Sequence, residues 1–272
     1  MEYIPALEAA DKRVRNGSQT ISAEEVISLY GTYIYNIALK LSGKPEMAED
    51  IAQETFIKVW KHIDQLKDQN AIKKWLHTIC VNEFKMLMKK EGRERAIYVA
   101  NIEELINDGE LLISTSESVT DEIQATEEVI SLRNGCFLAM ARKLSVNQRI
   151  VFSLSDMFGL SINEIADIID ITPKAAKGLL YRARMNLDSF FQEHCMFLDT
   201  KNPCNCAAWI EFFQQREELR NSIHNRILNY KEKGYSFDID VRNKVTYYYQ
   251  QIPDHAPCLE WYQRVMELLE KN

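Results

Sequence analysis

Residues 161–187 read SINEIADIIDITPKAAKGLLYRARMNL, and two helix starts are written into them. Ser161-Ile162-Asn163-Glu164 has the S-x-x-E form of a capping box, in which hydroxyl and carboxylate satisfy otherwise orphaned amides. Ile165, Ala166, Ile168 and Ile169 then supply an apolar face. Thr172-Pro173 restarts the chain, threonine as the N-cap and proline as the first helical residue. Upstream, Ser145-Val146-Asn147-Gln148 is a second capping box before Ile150, Val151 and Leu154, with Gly159 placed to close that helix. The spacing predicts a helix-turn-helix. Its last helix, Thr172 to Leu187, carries Lys174, Lys177, Arg182 and Arg184 and no acid. In such a motif the N-terminal residues of the second helix meet base edges in the major groove and later cations meet phosphates. Lys174, Lys177 and Gly178 are expected in the first role. The small residues Ala175, Ala176 and Gly178 permit close approach, whereas stability alone disfavours a mid-helix glycine.

Working outward, the chain has 272 residues with 33 Lys and Arg against 40 Asp and Glu, a net charge of −7. A chain of that balance has no generic affinity for nucleic acid or membrane, so any polyanion contact is local. With 46% hydrophobic and 27% charged residues it has a globular composition. Only 9 Gly and 6 Pro punctuate it, and alternating runs are missing. The expected fold is therefore all-α. No apolar run reaches membrane-spanning length and the start from Met1 to Thr20 lacks the order of a signal peptide, so a cytoplasmic location is expected.

Charge divides the chain. From Ala96 to Leu132 there is no Lys or Arg, but nine Asp and Glu. Residues 96–120 read as an acidic linker between a module at 20–95 and the helix-turn-helix module at 121–191, and residues 193–272 as a small C-terminal, mostly helical domain. In the first module, Pro45 opens a helix in which Asp50, Gln53 and Ile57 share one face and Phe56 and Trp60 pair at i, i+4. From spacing alone two readings stand: a polar face with embedded apolar groups that suits a partner, or Phe56 and Trp60 as core with Asp50 and Gln53 solvated. The next helix carries an apolar stripe of Ile72, Trp75, Leu76, Ile79, Cys80, Phe84 and Leu87. Opposite it lie Lys74, Thr78, Asn82, Lys85 and Lys89, where an amide can meet a base edge and ammonium groups phosphates, with Trp75 on the shoulder to stack a base.

Together these motifs resemble the extracytoplasmic-function group of bacterial RNA polymerase sigma factors. Ala48 to Phe56 through Trp60, then Trp75 to Asn82, are similar to the family's region two. Leu144 to Leu154, Glu164-Ile165-Ala166 and Ala176 to Arg184 are similar to its region four. The resemblance covers roughly residues 20–191. It implies that Asp50, Gln53, Phe56 and Trp60 bind core polymerase at the clamp coiled coil, with the flap a second contact. It implies that Asn82, with Trp75, Thr78, Lys85 and Lys89, reads the −10 element as a flipped single strand. Lys174, Lys177, Gly178, Tyr181, Arg182 and Arg184 would bind the −35 element as duplex, and the acidic linker would occupy a nucleic-acid channel. An anti-sigma partner is a further expectation. Such a subunit is no enzyme itself, and it requires no cofactor. Departures are Glu83-Phe84-Lys85 after Asn82, Glu91 and Glu94 in the basic tail, and Leu179 where many relatives place arginine.

The C-terminal region holds His194, Cys195, Cys204, Cys206 and Cys258, a C-x8-C-x-C pattern with an outlying cysteine. Two readings stand. Soft ligands would take zinc or copper(I), or the thiols are buried beside Trp209, Phe212 and Phe213. Twelve aromatics beyond Gln192 favour a packed domain that regulates the other modules. The competing functional class is a stand-alone helix-turn-helix regulator sensing metal or ligand through this region. A zinc hydrolase is disfavoured, because it needs a ligand set with an open position and a positioned base, and no H-E-x-x-H or comparable pair is written in the chain.

Overall fold

Ser22 starts the first helix as a full capping box. Its Oγ accepts from the Glu25 amide at 3.2 Å, and Glu25 Oε2 accepts from the Ser22 amide at 2.9 Å. Helix α1 (Ala23–Ser42) ends at Gly43, whose φ of 66° suits the left-handed stop that glycine adopts without strain. Pro45 opens α2 (Pro45–His62), and α3 spans Ile72–Lys90. The computed structural model describes residues 21–66, 68–90, 121–202 and 237–270. The acidic linker 96–120 and the Cys204–Cys206 pair lie outside these residues.

Helix α4 (Asp121–Ala141) leads to α5 (Val146–Phe152), which begins with the expected Ser145/Gln148 capping box. It widens into a π-helical segment at Ser153–Met157 and stops at Gly159, φ 72°. Then come α6 (Ile162–Ile169) and α7 (Pro173–His194). Helix α7 runs seven residues past the expected Leu187, because Phe190 and Phe191 extend its buried face. Asp238 caps α8 (Ile239–Gln250), accepting from the amides of Asp240 and Val241, and α9 spans Leu259–Glu270. All the regular structure among the described residues is helical, as the composition required.

The chain divides into two units. The first comprises α1, α2, α3, α6 and α9; the second α4, α5, α8 and α7 from Lys174 onward. This differs from the expected division. The C-terminal region 193–272 is not a unit of its own: α8 joins the second unit and α9 the first. Each has an apolar stripe that is completed only by helices distant in sequence.

In the first unit Tyr30, Ile34, Ile37 and Leu41 of α1 meet Ile51 and Phe56 of α2 and Phe84 of α3, all fully buried. Burial pushes the Cys80 thiol up to about 12, so it is an inert core group. In the second unit Phe137 stacks on Phe191 with centroids 4.1 Å apart, and Tyr249 of α8 packs edge-on to Phe137 and Phe152. The Tyr249 hydroxyl, wholly buried, donates to the Phe137 carbonyl at 2.9 Å, which offsets the cost of burying it.

Candidate nucleic-acid interface

Helix α7 separates its residues by chemistry. Ala176, Leu180, Ala183 and Leu187 are buried at i, i+4, i+7, i+11, while Lys174, Lys177, Tyr181 and Arg182 are exposed on the other side. Tyr181, at 61% exposure, presents an aromatic ring between two cations. Gly178 lies on the same face. A Cβ built there would meet only Arg182 Nη1, at an ordinary 3.5 Å, so nothing inside the fold demands glycine. The turn before the helix passes through Asp170 at φ 56°, a left-handed conformation that a short acidic side chain tolerates.

Arg184 departs from the expectation. Its Nη2 and Nε make a bidentate pair with Asp156 at 2.6 and 3.1 Å. Asp156, at the end of the π segment, is buried and also faces Arg242 Nη2 at 3.4 Å, while Arg242 Nη1 stands 3.0 Å from Asp188. Arg184 thus belongs to a balanced group of two arginines and two aspartates that ties α7 to α5 and α8. Its guanidinium is committed to that structural pairing rather than to phosphate.

On α3 the buried face is rotated from the expected stripe. Ile72, Leu76, Cys80 and Phe84 are buried as expected, but Trp75, Ile79 and Leu87 are only half-buried, and His77, Val81, Glu83 and Met88 are buried instead. The polar two have partners. His77 Nε2 and the Tyr33 hydroxyl are 2.8 Å apart, and burial pushes His77 down to about 4, with Lys73 adding to the shift and Glu164 opposing it. Glu83 is ion-paired with Lys58. Of the expected nucleic-acid residues Asn82 and Lys89 are exposed, whereas Trp75, Thr78 and Lys85 are half-buried.

Part of that cationic face is already covered by carboxylates. Within the first unit α6 packs on α3, and Lys74 Nζ meets Asp167 Oδ2 at 2.8 Å. Partial burial lowers the Lys85 pKa, and Asp170 pulls it the other way. Asp167 and Asp170 therefore bring negative charge to Lys74 and Lys85, and Glu164 brings it to the buried His77.

On α2, Asp50 is exposed and Gln53 and Trp60 are half-buried, but Phe56 has no exposed surface at all. Its ring packs edge-on to Trp261, centroids 6.4 Å apart. Phe56 is a core residue beneath the polar face, not a contact on it.

Comparison with known proteins bears on these surfaces. The description "Sigma-70 region 2" matches residues 26–94 and "Sigma-70, region 4" matches residues 134–187. The chain is 28% identical over 174 residues to the ECF RNA polymerase sigma factor SigW of Bacillus subtilis, covering 64% of this chain and 90% of that protein. It is 30% identical over 149 residues to the ECF RNA polymerase sigma-E factor of Salmonella typhimurium, covering 53% of this chain and 73% of that one. The chain belongs to the ECF RNA polymerase sigma factors.

A solved sigma factor, RpoE of Bartonella quintana in complex with the anti-sigma factor NepR, aligns at 25% identity over 62% of this chain and 96% of that one, with a TM-score of 0.43. In this sigma factor region two corresponds to α1–α3, and region four to the stretch from the C-terminal part of α4 to most of α7. Helices α8 and α9 lie beyond both. No described helix is long and apolar enough to cross a membrane. Of the suggested metal ligands, His194 stacks on Phe190 and its Nδ1 lies 2.9 Å from the Phe190 carbonyl, Cys195 is buried and Cys258 exposed. Among the described residues no group of three or more His, Cys, Asp or Glu is arranged to hold a metal.

Sequence reasoning missed His77, Glu83, Asp156, Arg242 and the α6 carboxylates as parts of these surfaces. Asp167 and Asp170 do carry a signal: they are the acids just before the acid-free stretch 172–187.

Proposed function

We propose that this sigma factor divides promoter recognition between two cationic helical surfaces. Helix α7 binds the −35 element as duplex through Lys174, Lys177, Gly178, Tyr181 and Arg182. Helix α3 holds the −10 element as an unpaired strand through Asn82, with Trp75, Thr78, Lys85 and Lys89. Asp50 and Gln53, with Trp60 beside them, dock on the helical clamp segment of core polymerase, and region four reaches the flap. The observation that carries this reading is the exposed face of α7, where four cationic or aromatic groups line the side opposite the buried alanines and leucines.

The functional modules in this reading are 20–95, 96–120, 121–191 and 193–272, the linker lying in the polymerase channel and the last segment regulating the rest. The protein works in the cytoplasm and catalyses nothing itself; polymerase makes the phosphodiester bonds. Opening the −10 element costs a few kcal/mol per flipped base, which polymerase and α3 contacts offset together. A pull-down with core polymerase followed by run-off transcription tests the reading. Initiation that depends on added protein supports it. Duplex binding without polymerase association would instead indicate a stand-alone regulator, a reading that the family membership does not favour.

A further inference from the structure

Helix α9 is amphipathic, and its buried side faces α1 and α2 within the first unit. Trp261 and Val265, one turn apart, are 1% and 0% exposed. The Trp261 ring lies against Phe56 and Tyr35, and its Nε1 donates to the Glu49 carbonyl of α2 at 3.2 Å. Arg264 Nη2 reaches Glu49 Oε2 at 3.2 Å. The Tyr262 hydroxyl is 2.9 Å from Thr32 Oγ1, and its ring lies so close over Gly31 that a Cβ there would stand 2.7 Å from Cε1. The segment leading in is held as well. Asn36 Oδ1 accepts from the His255 amide at 2.8 Å while Asn36 Nδ2 donates to the His255 carbonyl at 2.9 Å, and Lys40 pairs with Asp254 at 2.7 Å.

The position of this helix on α2 is the informative point. Glu49 and Phe56 are seven residues apart and share one face. At about 100° per residue, Gln53 and Trp60 lie within about 40° of Glu49 around the helix axis. A helix is about 10–12 Å across with its side chains, so a helix seated on Glu49 and Phe56 overlaps the strip that a second helix would need to reach Gln53 and Trp60. The residues holding α9 at its rim, Arg264 and Tyr262, are polar and partly exposed around the buried Trp261 and Val265, the apolar-core, polar-rim anatomy of a docked interface. Helix α9 also lies outside both regions matched to the family.

We infer that the α1–α2 face is a shared docking surface, occupied by α9 in the free protein and by a helical segment of core polymerase in the loaded one. The inference rests on α2 being the polymerase-binding helix. The C-terminal helix then sets how much of the protein is competent to load. If about nine-tenths of molecules hold α9 docked, its release raises the apparent affinity for polymerase about tenfold.

The test uses full-length protein. Hydrogen exchange over residues 259–270 is measured with and without core polymerase, and polymerase affinity is measured for wild type and for the Tyr262→Ala, Arg264→Glu double variant, which leaves Trp261 and Val265 in place. The expected results are lost protection in 259–270 when polymerase binds, and several-fold tighter binding by the variant. Polymerase binding that leaves 259–270 as protected as before overturns the inference, as does a variant with a freed helix and unchanged affinity. Failure of wild type and variant alike to bind polymerase would instead remove the reading of α2 on which the inference stands.

Discussion

Gly178 separates stability from function at one atom. In the interior of a helix, alanine is favoured over glycine by about 1 kcal/mol, chiefly because glycine loses more backbone freedom on folding. The fold has room for the methyl group, whose nearest neighbour apart from the helix backbone is the end of the Arg182 side chain at 3.5 Å. Gly178→Ala should therefore raise the midpoint of thermal unfolding, by about 2–4 °C for a chain of this size class. The same methyl stands on the exposed face between Lys174, Lys177, Tyr181 and Arg182. If that face closes on DNA, the group intrudes where backbone and groove approach, and an overpacked contact costs about 1–3 kcal/mol, or roughly 5- to 150-fold in affinity. Differential scanning fluorimetry and duplex binding at fixed salt are the assays. A more stable variant that binds the −35 duplex as well as wild type would refute the placement of Gly178 at the DNA. A less stable variant would refute the description of α7 around it.

Other consequences follow from the same contacts. The Lys74–Asp167 pair is largely exposed, so removing it matters little to stability, but Asp167→Lys should raise affinity for single-stranded DNA by up to about fivefold, the equivalent of 1 kcal/mol. Fluorescence anisotropy with a labelled −10 strand checks this, and unchanged binding would mean that α6 does not compete. For His77 the folded pKa of about 4 lies below the ordinary 6.5, so the unfolded chain takes up the proton first. Stability from this group is complete above pH 6.5 and is lost as pH falls toward 4, by about 3 kcal/mol in all. His77→Gln should flatten the pH dependence of urea unfolding in that window; an identical profile would contradict it. Arg242→Gln leaves Asp188 and part of Asp156 without their counter-charge and should cost about 3 kcal/mol in a urea titration, since breaking a buried pair from one side is expensive. The soft-metal expectation at Cys204 and Cys206 predicts less metal in a Cys204→Ser, Cys206→Ser variant purified without added ions, and equal content rejects it.

The local signals were readable in the sequence because each is complete within a few residues. The Ser145 capping box, the stop at Gly159, the Pro173 start and the cationic face of α7 all stand in the structure as written in the chain. What could not be read depends on partners far away. Arg184 reads in the sequence as one more cation for phosphate, but Asp156, 28 residues earlier, holds its guanidinium. Phe56 follows the spacing-only reading as core, because Trp261 closes over it from the far end of the chain. The buried stripe on α3 lies a fraction of a turn from the apolar pattern, since periodicity gives no reason to bury His77 or Glu83. Tyr33 and Lys58 supply that reason. Of the described C-terminal aromatics Tyr249 and Trp261 are buried while Phe237 and Tyr247 are exposed, and composition carries no information on which of them pack or against which helices.

The central claim is that one helix serves unpaired nucleotides and another serves duplex. Permanganate reactivity of −10 thymines on promoter DNA with core polymerase tests it most directly, comparing wild type with Asn82→Ala and Lys177→Ala. The account predicts open thymines with wild type, retained −35 occupancy but little opening with Asn82→Ala, and loss of −35 occupancy with Lys177→Ala. Equal opening and equal occupancy across all three proteins would contradict it.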